Sequence, residues 1–344
     1  MAPRVVGLVL SAGCSFAPAP SDPPAPDAAM SSTSSAIEWL GALELRRDDF
    51  TIPPDKLLAG AVDVCAQSYP MGAATRAKLV WTDAGTVREQ AMTIAGEGAG
   101  PYGHNTLWCG SLDLAAVPTT LAVIAEDAAG APVRSELAIT PRSEITLFDA
   151  APDAALWRMA GPGSFAIVEL DGSAALRAQP APSELGLYWA AIPTPPDFEL
   201  TADVRLDRFD DNSGVFVRFR DPDRFGYDNP AWVGVHDGLE IQIDETARPD
   251  GADIHRTGAV YEQPSTFVRA PDGVPGTWRA FAITVRGNRI VVRIDGQQVT
   301  DCTFVGDLSR PERALPSRPG APRFVGLQSH TGAVAFRHLR LRAL

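Results

Sequence analysis

The chain has only four cysteines, Cys14, Cys65, Cys109 and Cys302, and no two of them stand in a CxxC pair. Its five histidines form neither an HExxH motif nor a close cluster, so the ligand spacing of a structural zinc site is missing; no metal site is assigned, and the acidic clusters at Asp207–Asp211 and Asp221–Asp223 leave calcium open. No apolar run reaches the roughly 20 residues that a membrane-spanning helix needs. Runs of basic residues are missing too: Lys and Arg are interleaved with Asp and Glu, and the formal net charge is −12. That balance argues against nucleic acid and anionic lipid as partners and leaves a neutral or cationic ligand as the easier one to accommodate. No segment between Ala36 and Thr140 keeps a helical period beyond two turns, which argues against a helix bundle. No cofactor is expected.

What is present points to β structure. Glycine and proline occur 30 times each in 344 residues, and 45% of the chain is apolar, enough for packed cores rich in turns. The length suggests two domains.

Residues 1–14, MAPRVVGLVLSAGC, carry one Arg, a short apolar run and small residues up to Cys14. That is the outline of an export signal, and it resembles a bacterial lipoprotein signal, in which the cysteine is lipidated. A non-lipidated export signal, or a true start at Met30, are the alternatives. Residues 15–35 are rich in Pro, Ala and Ser and read as a solvated tether.

Residues 36–141 alternate short strands with polar turns. Cys65 and Cys109 fall in different strands with Trp81 between them, which resembles the inter-sheet disulfide and tryptophan of an immunoglobulin-like β-sandwich. Two buried thiols are the plainer reading. Residues 142–344 continue as strands and turns, with hairpin signals at Gly287-Asn288 and Asp295-Gly296. The apolar parity of the last strand switches between Phe336 and Leu339, which a β-bulge near Arg337–His338 explains. A double-sheet jelly roll accommodates such a series.

The strand LEIQIDE at Leu239–Glu245 alternates strictly, so Leu239, Ile241 and Ile243 face a core while Glu240, Gln242 and Asp244 form a polar row on the other side. A wetted sheet face is the bland reading of that row and a binding site the sharper one. By the same alternation, Arg218 in GVFVRF lies opposite Val215, Val217 and Phe219, facing Glu240 or Asp244 across strands.

Seven stretches in order resemble the 3-keto-disaccharide hydrolase domain family: LFD…WRMAG, DFEL at Asp197–Leu200, NSGVFVRF at Asn212–Phe219, LEIQIDE, TGAVY at Thr257–Tyr261, GTWRAFAITVRGNRIVVRIDG and VGLQSHTGAVAFRHLRL. The resemblance covers residues 145–344. It implies a concanavalin/laminin-G-like jelly roll and cleavage of the glycosidic bond of 3-keto-sugars. A ketone at C3 acidifies the C2 proton; a base removes it, a polar group steadies the enolate, and the C1 oxygen leaves before water adds. With the resemblance, Glu240, Asp244 and His330 become candidate catalytic residues, with acid and base unassigned. Asn212, Arg218, Gln242 and Tyr261 become candidate substrate contacts. Trp232 and His236 lie in a loop that could cover the cleft. A non-catalytic carbohydrate-binding or adhesion lipoprotein is the alternative.

Overall fold

The computed structural model describes residues 39–40, 55–83, 85–100, 103–224, 227–305 and 322–344. The signal and tether at 1–35, with Cys14, lie outside them. The chain is all-β as expected, with one short α-helix among the described residues.

Two four-stranded sheets come first. One joins Trp39–Leu40, Gly60–Tyr69, Gly103–Leu114 and Thr93–Gly100; the other joins Thr86–Ala91, Arg76–Asp83, Thr119–Glu126 and Pro132–Ile139. Val64, Ala66, Trp108 and Leu112 from the first meet Leu79, Trp81, Leu121 and Val123 from the second in a shared core. The stretch VREQAMTI breaks at the buried Met92, where the chain passes from one sheet to the other.

Cys65 and Cys109 are bonded to each other. They are directly opposed on neighbouring strands of a single sheet, so the bridge is not inter-sheet. Because Val64, Ala66 and Trp108 turn inward, the pleat puts Cys65 and Cys109 on the outer side, where they cluster with Leu107 and not with Trp81.

From Glu144 onward a nine-stranded sheet packs on a five-stranded one, giving the jelly-roll layers. Phe198, Leu200, Val204, Phe281, Ile283 and Phe336 from the larger sheet fill the space against the smaller. The smaller sheet carries the site. Its strands are β1 (Trp157–Ala160), β2 (Gly186–Ala190), β3 (Asn212–Phe219), β4 (Leu239–Asp244) and β5 (Phe324–Ser329), in spatial order β1-β2-β5-β3-β4. Val215, Val217, Ile241, Ile243 and Leu327 point into the core between the sheets. The hairpins at Gly287-Asn288 and Asp295-Gly296 form, and the register of the last strand slips at Leu339–Arg340 beside His338, whose φ is +51°.

The outer face of the small sheet is divided. One half is apolar: Leu187, Trp189, Phe216, Phe219 and Phe324 lie beneath Ala231 and Val233. These two belong to the segment that forms α1 (Trp232–Asp237). Gly234 lets the helix lie flat, since a Cβ there would meet the Phe216 ring at 3.0 Å. Asn229 fixes its approach by accepting from Ala231 N at 3.0 Å and donating to Leu185 O at 2.8 Å. The loop expected as a cover is therefore a helix packed on the sheet.

Arg218 departs from the alternation. It has φ +58°, and the β3–β5 register slips between Val217 and Phe219. The bulge turns Phe219 to the outer side with Phe216, whereas alternation placed it with Val215 and Val217. Arg218 is carried away from Glu240 and Asp244: its guanidinium donates to Pro196 O and Gly287 O and lies 3.8 Å from Asp197.

Candidate functional site

The other half of the outer face is an open cleft of about 540 Å³, with polar side chains set among Leu185, Trp232, Val235 and Pro249. That volume suits a small ligand such as one or two sugar rings. Five of the expected site residues line it: Asn212, Glu240, Gln242, Tyr261 and His330. Arg218 does not, for the reason given by its bulge. Asp244 lies directly across from Asn212 on the neighbouring strand, fully buried, and is not part of the lining.

Glu240 is the floor of the cleft. It pairs with Phe216 across β4 and β3, and the residue is 7% exposed. The carboxyl leans over Gly214, where a Cβ would stand 2.2 Å from Oε1. Glycine there opens the space that the carboxyl fills. From the next strand Gln328 Nε2 donates to Glu240 Oε1 at 2.8 Å. Burial raises the carboxyl to about 8 against that stabilising hydrogen bond, and the nearby Glu262 charge adds to the rise. Glu240 therefore holds a proton at neutral pH.

Asp244 is the opposite case on the same strand. Burial opposes its ionisation, but donors from Thr246 and Arg248 outweigh that and hold it below the usual carboxylate range. It accepts from Thr246 N at 2.8 Å and Arg248 Nε at 3.1 Å, and Asn212 Nδ2 donates to it at 2.9 Å. The resulting clamp fixes the turn after β4 and brings Arg248 to the rim.

His330 follows β5 at the rim. Although the residue is exposed, enough protein surrounds its ring to lower its pKa, and the Arg248 charge lowers it further while Asp244 acts the other way. Thr331 Oγ1 lies 2.8 Å from Nδ1 and orients the ring. At neutral pH the imidazole is free of its extra proton. Tyr261 bonds its backbone N to Glu240 O at 2.8 Å, and burial with the surrounding acids, Glu262 first, pushes its phenol up. Trp232 is 41% exposed, lines the cleft and stacks on His236 with ring centroids 5.3 Å apart.

Among the lining residues not picked out from the sequence are Gln328, Arg248 and Glu184. Gln328 carried a usable signal, standing two residues before His330 in LQSHTG. Glu184 lies in the turn before β2 and has no signal in the pattern.

A family model described as the 3-keto-alpha-glucoside-1,2-lyase-like domain matches residues 143–342. A crystal structure of a candidate glycosyl hydrolase from Parabacteroides distasonis ATCC 8503 is 23% identical, covering 58% of this chain and 99% of that one with a TM-score of 0.42. A second candidate glycosyl hydrolase from the same organism is 15% identical, with coverage of 58% and 94% and a TM-score of 0.44. A Bacillus subtilis protein of unknown function with a galectin-like fold is 13% identical, with coverage of 58% and 94% and a TM-score of 0.38. No curated protein sequence matches.

Proposed function

The chain belongs to the 3-keto-alpha-glucoside-1,2-lyase-like domain family, and from that premise we propose that its carbohydrate-related function is cleavage of 3-keto-glycosides by removal of the C2 proton. The observation that carries the proposal is the buried Glu240 carboxyl, held by Gln328 at the floor of a cleft whose rim bears His330; burial pushes the carboxyl up and the imidazole down. Two titratable groups pushed apart in this way suit paired roles at one pH.

His330 takes the proton from C2, and the electron pair of that C–H bond forms the enolate. Glu240 donates a hydrogen bond to the oxygen at C3 as its charge develops, which a neutral, buried carboxyl does well. The enolate then collapses, the C1–O bond breaks, and the departing oxygen receives the proton from the His330 imidazolium. Water adding across the new C1–C2 double bond completes hydrolysis. Asp244 acts through the clamp that holds Asn212 and Arg248, not on substrate.

The test is incubation of the purified protein with a 3-keto-disaccharide and assay of the released sugar. Glu240→Gln and His330→Ala are each expected to lower turnover by about 10²-fold or more. Binding with no release would overturn catalysis and leave a carbohydrate-binding protein.

We also propose that the protein is exported and lipid-anchored at Cys14. The disulfide supports an oxidising compartment. Membrane association should be lost in Cys14→Ser; its survival there would refute the anchor.

A further inference from the structure

Three side chains stand in a row across neighbouring strands on the floor of the cleft. Gly214 pairs with Gln242 on β4. On its other side the Val215–Leu327 register, continued by one residue, sets Gly214 beside Gln328 on β5. The carboxyl of Glu240 fills the space above Gly214. The order across the sheet is therefore Gln242, Glu240, Gln328, at a strand spacing of about 4.8 Å.

The two amides share an anomaly. Gln242 and Gln328 are 3% and 5% exposed, both line the cleft, and the Oε1 of each has no hydrogen-bond partner. The Nε2 of Gln328 is used on Glu240, which turns its oxygen elsewhere. A buried carbonyl oxygen without a donor costs free energy, so an unfilled pair of them at a cleft calls for a ligand with two donor groups.

We propose that Gln242 and Gln328 accept hydrogen bonds from the two hydroxyls that flank the ketone of the sugar, while Glu240 donates to the ketone between them. The floor then reads acceptor, donor, acceptor against hydroxyl, carbonyl, hydroxyl. A ketone has no proton to give, so it suits the central position and is refused by the outer two. The match is to the C2, C3 and C4 oxygens of a 3-oxo-pyranoside, and it rests on the keto-glycoside reading of the same cleft. The raised pKa of Glu240 supports the donor role at neutral pH.

The probes are methyl 3-oxo-α-glucopyranoside and its 2-deoxy and 4-deoxy counterparts. Their Kd values are measured in His330→Ala, which keeps the probes intact, and methanol release is followed in the unaltered protein. Each deoxy probe is expected to bind about tenfold to a hundredfold more weakly than the parent, because it leaves one buried acceptor unfilled. Adding Gln242→Met should abolish the difference for one deoxy probe and keep it for the other. Equal Kd values for the three probes, no binding of the parent, or an unchanged pattern in the Met variant would overturn the inference. Methanol release with equal Kd values sinks the inference alone; the expected pattern without methanol release sinks catalysis alone.

Discussion

The carboxyl of Glu240 occupies the place that a side chain at position 214 would need, with Oε1 only 2.2 Å from where a Cβ would stand. One strand contributes the acid and its neighbour contributes the room for it. Gly214→Ala should therefore expel the carboxyl from the floor, lowering turnover by at least tenfold and stability by about 1–3 kcal/mol from overpacking. Turnover and the urea midpoint check this; unchanged turnover would mean that the placement of Glu240 does not matter.

Glu240 makes stability depend on pH in a definite direction. Its folded pKa, about 8, lies above the ordinary 4.5, so its protonated form favours the folded state. That contribution is complete below about pH 4.5 and is lost as pH climbs through 8. Glu240→Gln keeps the shape and lacks the titration. The variant should be the more stable protein at pH 9, with a flatter melting-temperature profile between pH 5 and 8. Parallel profiles for the two proteins would contradict the buried carboxyl.

Activity should follow a bell in pH. The acid limb reports His330, lowered from 6.5 by burial and then by Arg248. The alkaline limb reports Glu240 near about 8. His330→Ala should lose the acid limb along with most of the rate, and its melting temperature should stay within a degree or two because the residue is exposed. A rate that keeps rising to pH 10 would contradict the donor role of Glu240.

Asp244 should behave as a structural residue. Its folded pKa is depressed, so its contribution is present above the ordinary carboxylate value and disappears as pH falls through the folded one. Asp244→Asn should cost about 3 kcal/mol at pH 7, the scale of a broken buried charge network, and much less at pH 3. Denaturant titrations at the two pH values measure the difference. A large loss of turnover at full stability would instead place Asp244 among the reacting groups.

The bridge between Cys65 and Cys109 should act on the first pair of sheets alone. Reduction, or Cys65→Ser with Cys109→Ser, should lower stability there by about 2–4 kcal/mol. Turnover at the cleft should not change. Calorimetry with and without reductant checks this, and a matching loss of activity would show that the two parts are coupled.

Alternation made much of this legible in advance. Leu239, Ile241 and Ile243 had to share a face, which put Glu240 and Gln242 together on the other, and the glycine dipeptides marked hairpins that formed. Arg218 was illegible for the converse reason. Its bulge is a one-residue slip inside a run that reads as regular, and nothing in GVFVRF announces it. The disulfide partners were readable, but their in-sheet geometry depends on which strands neighbour each other, and that is a long-range property. The division between Asp244 and Glu240 was likewise hidden, because it rests on hydrogen bonds from Thr246, Arg248 and Gln328 and not on the row itself.

The stretch that leads into Gly60 has a mechanical consequence. After the strand Trp39–Leu40, which pairs within the first sheets, and before Gly60, Lys56 reaches the jelly roll, with Nζ 3.0 Å from Asp153 and 2.9 Å from Thr146 O. Leu57 and Ala59 bond Arg142 through the backbone at 2.9 and 2.8 Å, in a parallel bridge. A pull that drew Lys56 away from the jelly roll would load this staple, the parallel bridge in shear. The chain from Gly60 to Ile139 starts and ends beside it, so the strands in between would stay off the line of that pull.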